Sequence, residues 1–216
     1  MKTDSQIQSD VLAELAWEPS VTHEHIGVSV KGGVVTLSGL VPSYAEKLAA
    51  EKATRRVAGV KAIAEDIEVR RPGDAKTSDG EIASRICSIL AWDAVIPAEK
   101  IAVKVENGHV TLSGTVDWRY QVDAARKAAG RITGVVSVRD LLSIKHVPAA
   151  ADVKERIEQA FRRNAVIDAS AISVIADGGT ITLGGKVHAW REREIAERAA
   201  WAAPGVTAIH DHIFVA

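Results

Sequence analysis

Cysteine is almost missing from this chain. Cys87 is the single one in 216 residues, so no intramolecular disulfide can form, as suits a reducing compartment. An excess of charge of either sign is missing too: 27 Lys and Arg stand against 28 Asp and Glu, a net charge of −1. Divided at 1–72, 73–147 and 148–216, the net charges are −1, +1 and −1. Non-specific nucleic-acid binding needs a clear basic excess, so no nucleic-acid partner is expected. No apolar run approaches the roughly 18 residues of a transmembrane helix. The start, Met1-Lys2-Thr3-Asp4, has no apolar segment and no small-residue cleavage site. The expectation is a soluble, cytoplasmic protein. Gly-x-Gly occurs nowhere, which excludes a dinucleotide fingerprint. Gly-x-x-Gly is absent as well, which argues against a KH-like RNA reader.

What the chain does have is a triplicate. Ile26-Gly-Val28 running to Leu37-Ser38-Gly39 returns as Ile101-Ala-Val103 to Leu112-Ser113-Gly114, and again as Ile172-Ser-Val174 to Leu183-Gly184-Gly185. The offsets are 75 and 71 residues, and Gly59-Val60 returns at the same offsets as Gly134-Val135 and Gly205-Val206. Three modules follow, 1–72, 73–147 and 148–216, each marginal alone because about 70 residues bury only roughly 60% of their unfolded surface.

Each module opens with apolar residues four apart, the mark of one helix face: Ile7, Val11, Leu15; Ile82, Ile86, Leu90; Val153, Ile157, Phe161. Asp4 or Ser5, Ser78 or Asp79, and Asp152 stand where N-caps belong. Two alternating strands follow, joined at Gly32-Gly33, Asn107-Gly108 and Gly178-Gly179, pairs suited to type I′ hairpin turns. Gly39, Gly114 and Gly185 near the end of the second strand point to a bulge or to a helix packing closely there. A second helix has Ala49/Ala53, Ala124/Ala128 and Ile195/Ala199 on its inner face, with acid-before-base pairs Glu51–Arg55, Asp123–Lys127 and Glu194–Arg198 outside. Gly59, Gly134 and Gly205 read as C′ residues ending it. A third strand spans Val60 to Val69, Val135 to Ile144 and Val206 to Val215, and the linkers are Arg71 to Ser78 and Val147 to Ala151. The fold class is α+β: three tandem αββαβ two-layer sandwiches, each with two helices on a three-stranded sheet.

Val105-Glu-Asn-Gly108-His-Val110-Thr111-Leu112-Ser113-Gly114-Thr-Val116, with its counterparts Val30 to Val41 and Ala176 to Val187, resembles the BON domain (bacterial OsmY and nodulation). The resemblance covers all three modules. It implies non-enzymatic proteins linked to envelope stress, osmotic response and contact with phospholipid or membranes. It transfers no catalytic residue, only the structural glycines Gly39, Gly114, Gly185, Gly59, Gly134 and Gly205.

The remaining chemistry is sparse. Gly179 to Gly185-Lys186 has the wrong spacing for a phosphate loop and brackets a strand. Ser38 and Ser113 become Gly184 in the third copy and have no repeated histidine partner, so no nucleophile is expected. His23-Glu-His25 and His210-Asp-His212 can each place two imidazoles on one side of an extended segment. A metal site needs three or four ligands, so they read as surface histidines, with no metal or cofactor expected. Cys87 reads as packing inside a helix boundary. Trp17 and Trp92 are equivalent, with Arg163 in the third copy; Trp118, Trp190 and Trp201 belong to the second helices. Core or inter-module packing is one reading of these indoles, and anchoring at a lipid interface or partner protein is the other. Trp201 is the best candidate for an exposed or interdomain role, because Arg55 and Gly130 hold its place elsewhere.

The leading expectation is a non-enzymatic multi-module binding protein, stress-associated, making weak multivalent contacts with phospholipid headgroups or protein partners. Its contact surface would be Arg55, Arg56, Arg126, Lys127, Arg131, Arg191, Arg193, Arg198 and Trp201. The alternative is a structural, self-assembling protein using module–module and edge-strand contacts.

Overall fold

The computed structural model describes residues 2–70, 77–145 and 152–215. Most of the first expected linker, and all of the second, lie outside these residues. Within them each module runs helix, two strands, helix, strand. The first holds α1 (Asp4–Trp17), β1 (Ile26–Lys31), β2 (Val34–Val41), α2 (Tyr44–Arg55) and β3 (Ala62–Val69). The second holds α3 (Asp79–Trp92), β4 (Ile101–Glu106), β5 (His109–Val116), α4 (Arg119–Ala129) and β6 (Ser137–Ile144). The third holds α5 (Val153–Arg162), β7 (Ile172–Asp177), β8 (Thr180–Val187), α6 (Trp190–Trp201) and β9 (Ala208–Val215).

Every sheet has its second strand in the centre, antiparallel to the first and parallel to the third. The register is the same in all three: Ile26 faces Gly39, Ile101 faces Gly114 and Ile172 faces Gly185. Both helices pack on one sheet face. The apolar triplets form the buried side of the first helices, with Val11, Leu15, Ile82, Ile86 and Phe161 wholly shielded. Each such aliphatic or aromatic side chain contributes about 1.5–3 kcal/mol by leaving water.

Of the expected inner-face residues of the second helices Ala53 is fully buried, and elsewhere the buried face is centred one residue later. Ala50, Ala53, Ala125, Ala129, Ala196 and Ala200 are fully buried, while Ala49, Ala124, Ala128, Ile195 and Ala199 flank them. Alanine there lets the helix settle closely on the sheet. The third strands begin two residues later than expected, because Val60, Val135 and Val206 are buried in the preceding loop.

Of the expected caps only the first shifts: Thr3, not Asp4 or Ser5, caps α1 in a capping box with Gln6, Ser78 caps α3 as expected, and Asp152 holds the N-cap place of α5 without a side-chain bond. Asp4 and Asp79 do something else: each carboxylate grips the hairpin turn of its module. Gly32 and Gly33 donate their main-chain N–H groups to Asp4 at 2.8 and 3.0 Å. Asn107 and Gly108 donate to Asp79 at 2.7 and 2.9 Å. Both turns have positive φ at their two centre residues, as type I′ requires. In the third turn only Gly178 has positive φ, the pattern of type II′, and alanine (Ala150) stands in the sequence where the other modules have the aspartate.

The repeated glycines serve close approach. Gly39, Gly114 and Gly185 hold φ of 136°, 138° and 119°, and a Cβ on them would land on the carbonyl oxygens of His25, Lys100 and Ala171. The neighbouring chain entering the first strand crowds them, rather than a helix. Gly59, Gly134 and Gly205 are not C′ residues: α2, α4 and α6 end at Arg55, Ala129 and Trp201, with Arg56, Gly130 and Ala202 as C-caps. A Cβ on Gly59 or Gly134 would come within 3.0 or 2.9 Å of the Ile7 or Ile82 side chain, so they admit the first helix.

The first two modules belong to one compact unit, Met1–Ile144, and the third forms another, Lys145–Ala216. In the first unit Tyr44, at the head of α2, packs against the core of the second module. Its ring fills the space beside Gly130, where an added Cβ would come within 3.2 Å of Cδ1. Burial raises the Tyr44 hydroxyl above the ordinary tyrosine value; Arg126 and a hydrogen bond from the Val138 main chain oppose that rise.

Candidate functional site

The expected contact residues divide into two groups. Arg55 pairs with Glu51 along α2. Arg56 bridges two helices, donating from Nε to Glu14 at 2.6 Å and from Nη2 to Glu18 at 2.9 Å. Its guanidinium, helped by Ser20, holds the Glu18 carboxyl below the usual carboxylate range. Arg193 donates to Asp211 at 2.6 Å and lies 5.1 Å from the centre of the Trp190 ring. These three cations are tied into their own modules.

Arg126, Lys127, Arg131, Arg191 and Arg198 are exposed and make no ion pair among the described residues. Asp123, expected to pair with Lys127, pairs with Arg119 at 3.2 Å. Three of the five, Arg126, Lys127 and Arg131, cluster at the C-terminal end of α4.

The tryptophans also separate. Trp17 and Trp92 close the first helices of their modules and are 83% and 89% exposed. An open groove beside Trp17 is lined by Glu14, Glu18, Pro19 and Arg56. Val95, 47% exposed, follows Trp92 closely in the chain. Trp201 is half-buried against the core of its own module, contrary to the exposed or interdomain place its sequence position suggested. Trp190 is half-buried and Trp118 sits at the edge of exposure.

The other candidates fall as follows. Cys87 is exposed on α3, not packed inside a boundary. His23 and His25 lie in a single 3-10 turn, so they are not on an extended segment. His210 and His212 do share one strand face. Among the described residues no group of three or more His, Cys, Asp and Glu could hold a metal ion. Nor does any buried side-chain nitrogen or oxygen there lack a hydrogen-bond partner. No described helix is long and apolar enough to cross a membrane.

Sequence reasoning missed Tyr44, Gly130 and the turn-gripping aspartates. Gly130 carried a signal: it is the one copy of its position without a side chain, against Arg55 and Trp201. Glu46 was missed too. It is buried and accepts the Thr22 N–H at 2.7 Å, pinning the loop after α1 to the start of α2.

Comparison with known proteins agrees with the geometry. A family model described as the BON domain matches residues 3–71, 78–146 and 149–216. The chain is similar to the osmotically-inducible protein Y of Escherichia coli (strain K12), 36% identical over 146 residues, 66% of this chain and 73% of that protein. Two solved structures of CdsD, a structural protein of the type III secretion system of Chlamydia trachomatis, align at 12% identity. They cover 96% and 100% of this chain and 91% and 100% of theirs, with TM-scores of 0.26 and 0.27.

Proposed function

The chain belongs to the BON domain family, and on that premise we propose that it is a non-enzymatic, stress-associated binding protein whose modules contact anionic phospholipid surfaces. The observation that carries this reading is the pair Trp17 and Trp92, 83% and 89% exposed at equivalent places in two modules. An indole left in water costs free energy that a headgroup interface recovers, since the ring is apolar and its N–H is polar. The cations without acid partners supply the second part. Arg126 and Lys127 on α4, and Arg131 just past its end, can each gain about 1 kcal/mol near an anionic surface. Such sites are individually weak, and linking them in one chain multiplies their effect. The stress association rests on the osmotically-inducible relative.

Co-sedimentation with vesicles tests the reading. The protein is expected to pellet with phosphatidylglycerol vesicles at low salt, to release at high salt, and to stay in solution with phosphatidylcholine vesicles. Equal pelleting with both would remove the anionic-surface reading, and no pelleting with either would leave protein partners as the ligand class.

A further inference from the structure

The third module carries two side chains that its fold does not require. His210 and His212 stand two residues apart on β9, an edge strand that pairs with β8. Both are exposed. Strand alternation puts them on one face, about 6.6 Å apart along the backbone. The residue between them is anchored to the opposite side. Asp211 accepts from Arg193 of α6 at 2.6 Å and from the Ile213 N–H at 2.9 Å. Turning the strand over would break the bond to Arg193, so the imidazoles are held on the sheet face away from the helices.

The other modules have Ala64 and Arg139 in place of His210, and Asp66 and Leu141 in place of His212. Nothing in the repeat calls for imidazole here. Across the sheet, His212 pairs with Gly184, where the other modules have Ser38 and Ser113, and His210 pairs with Thr182. The charged groups that share this face are Asp177, at the hairpin end, and Lys186, which pairs with Phe214.

We propose that His210 and His212 form a surface chelate for a divalent transition-metal ion of the Cu(II) and Ni(II) class. Imidazole nitrogen suits these ions, while Mg(II) and Ca(II) prefer oxygen. Metal–nitrogen bonds of about 2.0–2.1 Å let two rings spaced this way lean onto one ion. Water completes the coordination. Two protein ligands are fewer than a structural site uses, so the ion is exchangeable and no part of the fold depends on it.

The test titrates Cu(II) alone into the full chain, following heat and visible absorption. The wild type is expected to take up one Cu(II), unaffected by excess Mg(II). His210→Ala and His212→Ala should each weaken uptake, and the double substitution should abolish it. His23→Ala/His25→Ala should leave it unchanged. A double variant at 210 and 212 that binds as the wild type does, or an equal loss on changing His23 and His25, overturns the site. Both positions are exposed, and urea unfolding of each variant without metal checks that the fold is kept.

Discussion

The ring of Tyr44 occupies the space that a side chain on Gly130 would need. An added Cβ would come within 3.2 Å of Tyr44 Cδ1 and 3.3 Å of the Arg126 carbonyl oxygen. This ring covering Gly130 is one place where module 1 meets module 2. Placing arginine at 130, as at 55 in the first copy, should push the ring out and cost about 1–3 kcal/mol through overpacking. Tyr44→Ala should cost about 2 kcal/mol for a half-buried ring. Urea unfolding checks both: the variants are expected to show modules 1 and 2 unfolding in separate transitions where the wild type shows one.

Gly114→Ala should be far more damaging. The residue holds φ of 138°, and its new methyl would sit on the Lys100 carbonyl oxygen, main chain that cannot step aside. A loss of more than about 4 kcal/mol is expected, with Gly39→Ala and Gly185→Ala equivalent. A variant with an unchanged unfolding midpoint would contradict this account of the glycines.

Asp79→Ala strips the acceptors from the N–H groups of Asn107 and Gly108. The expected cost is about 1–2 kcal/mol, because the turn then stands without its anchor. Amide hydrogen exchange at 107 and 108 should accelerate before the rest of β4 and β5. The third module's turn makes the converse point: without an aspartate at that place it takes positive φ at Gly178 alone.

Trp17→Ala and Trp92→Ala should change stability by no more than about 0.5 kcal/mol, since both rings are almost wholly in solvent. Together they should remove most partitioning to anionic vesicles. A double variant that sediments like the wild type would mean that the indoles are not the anchor.

Acid should loosen module 1 through Glu18. Its carboxyl is lowered by the Arg56 hydrogen bond, then by Ser20, so its folded value lies below its unfolded one. The pair therefore stabilises above the unfolded glutamate range of about 4–4.5, and that contribution is lost as pH falls through the folded value. Urea midpoints measured from neutral pH down to about 3 should decline, and Arg56→Ala should make the decline shallower. Identical pH profiles for the two proteins would show that the bridge carries no pH dependence.

The sequence alone determined the triplicate, the order of elements, the apolar faces of the first helices and the hairpin positions. These follow from local periods: residues four apart share a helix face, alternate residues share a strand face, and glycine pairs mark turns. The tertiary structure decided what depends on residues far apart in the chain. Asp4 and Asp79 look like caps until the hairpin turn, some 28 residues on, is brought against them. Gly39 and its equivalents are explained only by a carbonyl of the chain just before the neighbouring strand. Trp201 and Trp17 are the same residue type near helix ends, yet one lies on its core and the other in water, because exposure is set by what packs alongside. Which cations lack an acid partner was likewise invisible along the chain, since Arg56 finds Glu14 and Glu18 on another helix while Arg126 finds neither.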